Sequence, residues 1–239
     1  MSFDQSELKK DIKHGVIAAG GPETVAAGIA MLKQGGNAVD AAVAAAFASF
    51  IAEIGVVHLG GSGIAHIYDP REKRSLVYDF FSNTPGLGKE DVDQAGMDFH
   101  EVTVDFGETT QDFHLGRAAV AVPGNISGLC LMAEDYGRLP LAKLLEPALK
   151  LAEDGVAIAE FQAKTCELLT PLYTHTAGMR EIFLRNGRMI RAGERLYIPY
   201  LARTLMALAD RGAALIRDGS LARAIVRDQE ANNLSLIHI

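Results

Sequence analysis

Three features of the sequence predict an α+β fold. Strand signals are few, short and confined to the first half. Beyond Tyr136 the chain carries helical periodicity almost without a break. Near the start, an alanine-rich stretch follows Gln34-Gly35-Gly36-Asn37 and shows small side chains on every helical face, the pattern of a central buried helix. At 239 residues the chain is long enough to bury a sizeable core.

Taken in order, residues 1–14 are polar and are expected to form a leader, with residues 15–233 making one domain. Val16 to Ala19 reads as a short buried strand. Gly20-Gly21-Pro22-Glu23 then turns into a helix, because proline has no N–H to lose at the first helical position and Glu23 suits the positive helix start. Val25, Ile29 and Leu32 share one face of that helix. Gly35 or Gly36 can close it, since glycine enters the left-handed region without a Cβ penalty. Asn37 is a good N-cap and Asp40 lies in the first turn, so the next helix is predicted from Ala38 to about Ala52.

Ile64–Tyr68 and Ser75–Phe81 flank the polar turn Asp69-Pro70-Arg71-Glu72-Lys73-Arg74. Together they predict a β-hairpin entered through Gly60-Gly61-Ser62-Gly63. Thr84 to about Gly116 is polar and glycine-punctuated, predicting little regular structure. Arg117 to Val122 reads as a strand, and Pro123-Gly124-Asn125 as a turn into a helix capped by Asn125. Pro140 opens a helix through Leu145, and Pro147 restarts one that runs to Asp154 and ends at Gly155. Further helices are predicted over about Ala159–Leu169, Pro199–Asp210 and Ser220–Arg227. No internal repeat is visible. The final Leu234-Ser235-Leu236-Ile237-His238-Ile239 matches a transposase sequencing-library adapter translated in one frame, and is expected to be a non-native tail.

Composition narrows the function classes. A net charge of −7 with no Lys/Arg run argues against a nucleic-acid partner. The longest apolar run, Ala41 to Ala52, is well short of the ~20 residues of a membrane span. No apolar signal-peptide segment is visible near Met1, which points to the cytoplasm. Cys130 and Cys166 have no CxxC spacing and fall in helical patterns. They read as core or half-buried thiols of a reducing compartment, without a disulfide.

Local chemistry offers no catalytic centre. Gly60-Gly61-Ser62-Gly63 lacks the phosphate-loop pattern and precedes a strand rather than a helix. His14, His58, His66, His100, His114, His175 and His238 show no close metal-ligand spacing, and no metal or other cofactor is expected. His66, flanked by Ala65 and Ile67 in a strand, reads as a core or edge residue. Ser62 is not in a GxSxG elbow, and Ser127 reads as a first-turn helix residue.

Several stretches, in order, resemble the gamma-glutamyltransferase (gamma-glutamyltranspeptidase) family, in the N-terminal part of its large subunit. Leu32-Lys33-Gln34-Gly35-Gly36-Asn37-Ala38-Val39-Asp40-Ala41-Ala42-Val43-Ala44 is similar to its "LxxGGNAxDAAxA". Ala121-Val122-Pro123-Gly124-Asn125-Ile126-Ser127-Gly128-Leu129 resembles its "VPGxxxGL", and Leu144 to Gly155 its "LLxPAIxLAxxG". Leu201 to Leu205, with Gly212 and Asp218-Gly219, resembles its "LAxTLxxIAxxGxxxFYxG".

The resemblance implies part of an N-terminal-nucleophile hydrolase αββα sandwich, made from a precursor that cuts itself into two subunits. The nucleophile would be the threonine that begins the small subunit, with its own α-amine as base. The implied substrate is a small gamma-glutamyl amide, its acyl group passing to water or to an amino acid or peptide. That threonine is expected beyond this chain, so no catalytic residue is assigned and the chain alone is expected to be inactive.

One departure touches the substrate. Where the family has "RETAP", whose arginine grips an α-carboxylate, this chain has Phe81-Ser82-Asn83-Thr84-Pro85. Phe81, Ser82 and Thr84 are the substrate-site residues expected from the resemblance. Because Phe81 cannot pair a carboxylate, either another cation compensates, with Arg74 and Arg117 as candidates, or the acyl group is less anionic, as in an acylase. A non-catalytic scaffold subunit is the alternative outside enzyme classes.

Overall fold

The computed structural model describes residues 15–85 and 97–232, and the expected leader (1–14) and tail (234–239) lie outside the described residues. The architecture is α+β, with antiparallel hairpins in the first half and a packed set of helices.

Helices α1 (Pro22–Lys33) and α2 (Ala38–Ala52) meet at the glycine pair. Gly35 adopts φ +86°, and its N–H bonds the Leu32 carbonyl at 3.2 Å while the Gly36 N–H reaches the Met31 carbonyl at 3.0 Å. This pairing satisfies carbonyls that a helix end leaves without partners. Asn37 Oδ1 then accepts from the Val39 and Asp40 N–H groups at 2.8 and 3.0 Å, and Asp40 Oδ2 accepts from the Asn37 N–H at 2.7 Å. Helix α2 therefore starts in a closed capping box.

Helix α2 is the centre of the molecule. Val43, Ala44, Phe47 and Ala48 have no exposed surface. Against α2 pack α1, α3 (Asn125–Tyr136) and α4 (Leu141–Asp154), and α4 in turn carries α8 (Leu201–Arg211). Leu144, Ala148 and Leu208 complete this fully buried layer. The small side chains permit close approach, since a Cβ on Gly28 would stand 3.1 Å from the Ala41 carbonyl oxygen.

Strands β1 (Gly63–Asp69) and β2 (Arg74–Phe80) pair antiparallel, with Gly63 opposite Phe80 and Asp69 opposite Arg74. Alternation along the strands sends Ala65, Ile67, Tyr78 and Phe80 onto the helical core. Ile64, Tyr68 and Val77 face outward, and so does His66, which is not in the core but stands opposite Val77 on an edge strand of this two-stranded sheet.

Several expectations are revised. Residues 15–19 form no strand, and Val16 is 92% exposed, because no described strand lies beside them to bury an apolar run. The stretch expected to be irregular contains the hairpin β3 (His100–Asp105) and β4 (Thr110–Leu115), with Gly107 at φ +93° in its turn. Arg117–Val122 is not a strand. Gly116, at φ +108°, feeds a 3₁₀ turn over Arg117–Ala119, and Val122 alone pairs, with Asn83. Pro147 does not divide α4, because Leu144 and Leu145 before it and Ala148 after it are all buried in the core and hold both turns.

Beyond α4, β5 (Val156–Ala157), α5 (Glu160–Leu168), α6 (Thr170–Tyr173), α7 (Ala177–Phe183), β6 (Leu184–Arg185), β7 (Arg188–Met189) and β8 (Arg195–Leu196) surround a second small core. It contains Ile158, Cys166, Phe183, Ile190 and Leu196. Helices α9 (Ala214–Arg217) and α10 (Ser220–Glu230) follow α8. No described helix is long and apolar enough to cross a membrane.

Cys130 and Cys166 are free and buried, as their placement in helical patterns predicts. Burial pushes both thiols up to about 11. Because the thiolate is the reactive form, DTNB at pH 8 is expected to leave both unlabelled in the native chain over the minutes in which it labels both in urea. Prompt native labelling would overturn the placement of these side chains.

Candidate functional site

Three segments far apart in sequence converge at the end of β2. The first is the turn Gly60-Gly61-Ser62-Gly63, whose Gly61 carbonyl accepts from the backbone N–H groups of Gly124 and Asn125, both at 3.0 Å. The second is the start of α3, from which Asn125 Nδ2 donates to the His58 carbonyl at 3.0 Å. The third is the run after β2, where the Val122 N–H donates to the Asn83 carbonyl at 2.9 Å.

Glycines make this convergence possible. A Cβ on Gly124 would collide with the Phe80 carbonyl, and one on Gly128 with the Phe80 ring. Phe80 is thus clamped between the glycine turn and α3, and the segment after it leaves in a fixed direction.

The residues expected to form a substrate site separate into two kinds. Ser82 is half-buried, and its Oγ lies 3.1 Å from Ser62 Oγ. Phe81 is 63% exposed, on the outward side of the strand in register with Val77 and Asp79, and its N–H donates to Asp79 Oδ1 at 3.0 Å. Thr84 is exposed beside the Asn83–Val122 bridge. The two serine hydroxyls bond each other rather than a histidine or carboxylate, so neither has the base that a serine nucleophile needs.

Neither candidate cation serves Phe81. Arg74 begins β2, about 23 Å away along the strand at ~3.3 Å per residue, and its guanidinium lies 3.2 Å from Glu72 and donates to Tyr136 Oη at 3.0 Å. Arg117 is held by Asp98 at 3.2 Å and by Asp228 at 2.8 Å. Both arginines have other partners.

Two features escape the sequence reading. An apolar cavity of about 380 Å³ lies beside the glycine turn, lined by Phe50, Ile54, His58, Leu59, Gly60 and Tyr173 among others. Desolvation there lowers the His58 pKa from its ordinary 6.5 and favours the neutral ring. The glycine run and the apolar Ile54-Gly55-Val56-Val57 hint at such a space, but its far wall comes from α6 and α7. The second feature is a convergence of Asp98, His100 and His175, signalled only by the Asp98-Phe99-His100 spacing.

Residues 24–239 match the family described as Gamma-glutamyltranspeptidase. Among curated relatives, Glutathione hydrolase 3 of Arabidopsis thaliana is 29% identical over 221 residues, which are 90% of this chain and 32% of that protein. Acylase ACY 1 proenzyme of Pseudomonas sp. (strain V22) is 32% identical over 218 residues, 91% of this chain and 38% of that protein. The crystal structure of Helicobacter pylori gamma-glutamyltranspeptidase superposes with a TM-score of 0.76 at 27% identity, covering 93% of this chain and 61% of that one. The chain thus spans about a third of the length of these two curated relatives.

Proposed function

Since the chain belongs to the gamma-glutamyltranspeptidase family, we propose that it is large-subunit scaffold of an amide hydrolase or acyl transferase whose nucleophile is the N-terminal threonine of a small subunit cut from the same precursor. Its α+β architecture is part of the N-terminal-nucleophile hydrolase sandwich. In this reading the chain shapes the acyl-binding side of the site, through Phe81, Ser82 and Thr84, and the threonine-led partner performs the chemistry. A reducing, cytoplasmic setting belongs to the same proposal and is consistent with two free, buried thiols.

The observation that carries the substrate class is Phe81. It is an exposed aromatic where the resemblance places a carboxylate-gripping arginine, and both candidate replacement cations are held elsewhere. An α-carboxylate desolvated against an aromatic ring without a partner is strongly unfavourable. The acyl group is therefore one without a free α-carboxylate. A gamma-glutamyl amide is the second reading, favoured by relatives named glutathione hydrolase, and it requires a cation other than Arg74 and Arg117.

The test is a substrate panel on the product of the longer reading frame. Simple acyl p-nitroanilides are expected to exceed gamma-glutamyl p-nitroanilide in kcat/KM by tenfold or more, and Phe81→Arg to move the preference toward the gamma-glutamyl compound. A wild-type preference for gamma-glutamyl p-nitroanilide would sink the acylase reading. The purified 239-residue chain is expected to turn over neither compound above a blank preparation.

A further inference from the structure

Asp98, His100 and His175 each place one ligand atom within 4.8 Å of the other two. Asp98 stands in a tight turn just before β3, closed by the Phe99 N–H on the Met97 carbonyl at 2.9 Å, and His100 opens the strand, so that their side chains meet. His175 arrives from the turn between α6 and α7. We propose that these three side chains bind one divalent first-row transition-metal ion, and that the ion clips the β3–β4 hairpin to the α6–α7 turn.

Two of the three residues are held in place by their surroundings. Asp98 is held by one oxygen only: Oδ2 accepts from the Arg117 backbone N–H at 3.1 Å and from Arg117 Nη1 at 3.2 Å. Its other oxygen, Oδ1, faces His100 Nε2 at 2.9 Å. His175 is fixed through its backbone, because Arg180 Nη1 donates to the Thr174 and His175 carbonyls at 2.6 and 3.0 Å. The Arg117 bonds are outer partners of the kind that aim a metal's carboxylate ligand, and the Arg180 bonds set where the His175 backbone stands.

Charge does not oppose a cation. Arg117 would repel one, but Asp228 accepts from its Nε and Nη2 at 2.8 and 3.2 Å. With Arg180 on the His175 carbonyl, two carboxylates stand against two guanidiniums, and the ligand carboxylate of Asp98 is the charge nearest the ion.

Two imidazoles and one carboxylate suit zinc, cobalt or nickel better than magnesium or calcium, which prefer all-oxygen sites. Bonds of about 2.0–2.2 Å hold the ligand atoms of a zinc ion near 3.3 Å apart. Closure therefore asks only for side-chain rotations of an ångström or so. Binding through Nε2 uses the neutral tautomer of His100 that carries its proton on Nδ1, so the proton moves from one ring nitrogen to the other by exchange with solvent and the Nε2 lone pair is free for the ion. Both histidines are exposed, so the ion has an entry path, and a fourth position stays open to water.

The probe is Co²⁺, titrated into the 239-residue chain and followed by its visible absorption, with Zn²⁺ displacing it. One equivalent is expected to bind saturably, and His100→Ala and His175→Ala each to weaken binding tenfold or more. His114→Ala is the control: His114 stacks on Phe99 at 4.7 Å between ring centroids, close by but outside the cluster, and its loss is expected to change nothing. Absence of a saturable equivalent, survival of binding in either ligand variant, or its loss in the control would each overturn the proposal. Circular dichroism checks each fold, and a variant that fails it is replaced by glutamine at the same position.

Discussion

Asp40→Ala is expected to lower the unfolding free energy by about 2–4 kcal/mol, because it strands three part-buried backbone donors at once. Asp40 is fully buried. Its Oδ2 accepts from the Asn37 N–H at 2.7 Å and the Arg138 N–H at 3.1 Å, and its Oδ1 from the Arg138 and Leu139 N–H groups at 2.9 and 3.1 Å. Beside it, Asn37 Nδ2 donates to the Tyr136 carbonyl at 2.6 Å. The start of α2 is thus tied to the end of α3 and to the turn entering α4. Alanine leaves three N–H groups without an acceptor, each at about 1–3 kcal/mol and not fully additive.

The comparison that isolates this effect is Glu146→Ala. It removes an exposed ion pair with Lys143 at 2.7 Å and is expected to change stability by no more than about 0.5 kcal/mol. Urea denaturation with m-values decides between the two. A loss below about 1 kcal/mol for Asp40→Ala would show that water satisfies those donors and that the three-way junction is not what holds the helices in place.

Asp40 also marks how far the sequence alone could be read. Its capping role was legible, since Asn37 and Asp40 stand three apart at the head of an apolar run. Its second role was not, because Arg138 and Leu139 lie 98 and 99 residues away and local spacing carries no information about them. The β1–β2 hairpin was legible from period-two alternation beside a strong turn. The β3–β4 hairpin was missed because it is largely solvent-exposed, with Val104 its one fully buried residue among those described, so alternation is weak. Val16–Ala19 failed in the opposite sense: apolarity was present, and no strand among the described residues covers it.

For the site, the motif that resembles "VPGxxxGL" announced a turn and a helix, but not that its glycines exist to admit Phe80. The departure at Phe81 was legible as a residue type. That Arg74 and Arg117 are occupied elsewhere required coordinates. The metal-ligand convergence was illegible for the same reason as the Asp40 junction, since His175 joins Asp98 and His100 only through the packing of the α6–α7 turn on the hairpin.

The glycines of that motif give the second large effect, and here backbone and side-chain obstacles can be told apart. Gly124→Ala is expected to cost about 3 kcal/mol or more, since the new methyl meets the Phe80 carbonyl and no rotamer can move it away. Gly128→Ala meets the ring and Cβ of Phe80, an obstacle made of side chain, and is expected to cost about 2–3 kcal/mol. Phe80→Ala by itself opens a cavity in the core face of β2 at about 3 kcal/mol.

The double variants carry the argument. With Phe80→Ala present, the Gly128 methyl fills part of the space that the ring vacates, so the pair is expected to cost about 1–2 kcal/mol less than the sum of its members. Gly124→Ala gains nothing from Phe80→Ala, because the carbonyl remains. Equal rescue at both glycines would mean that the strand end moves freely. Phe81, Ser82 and Thr84 could then not be held as a site by the clamp on Phe80, and the reading of Phe81 as the residue that sets the acyl group would lose its geometric basis.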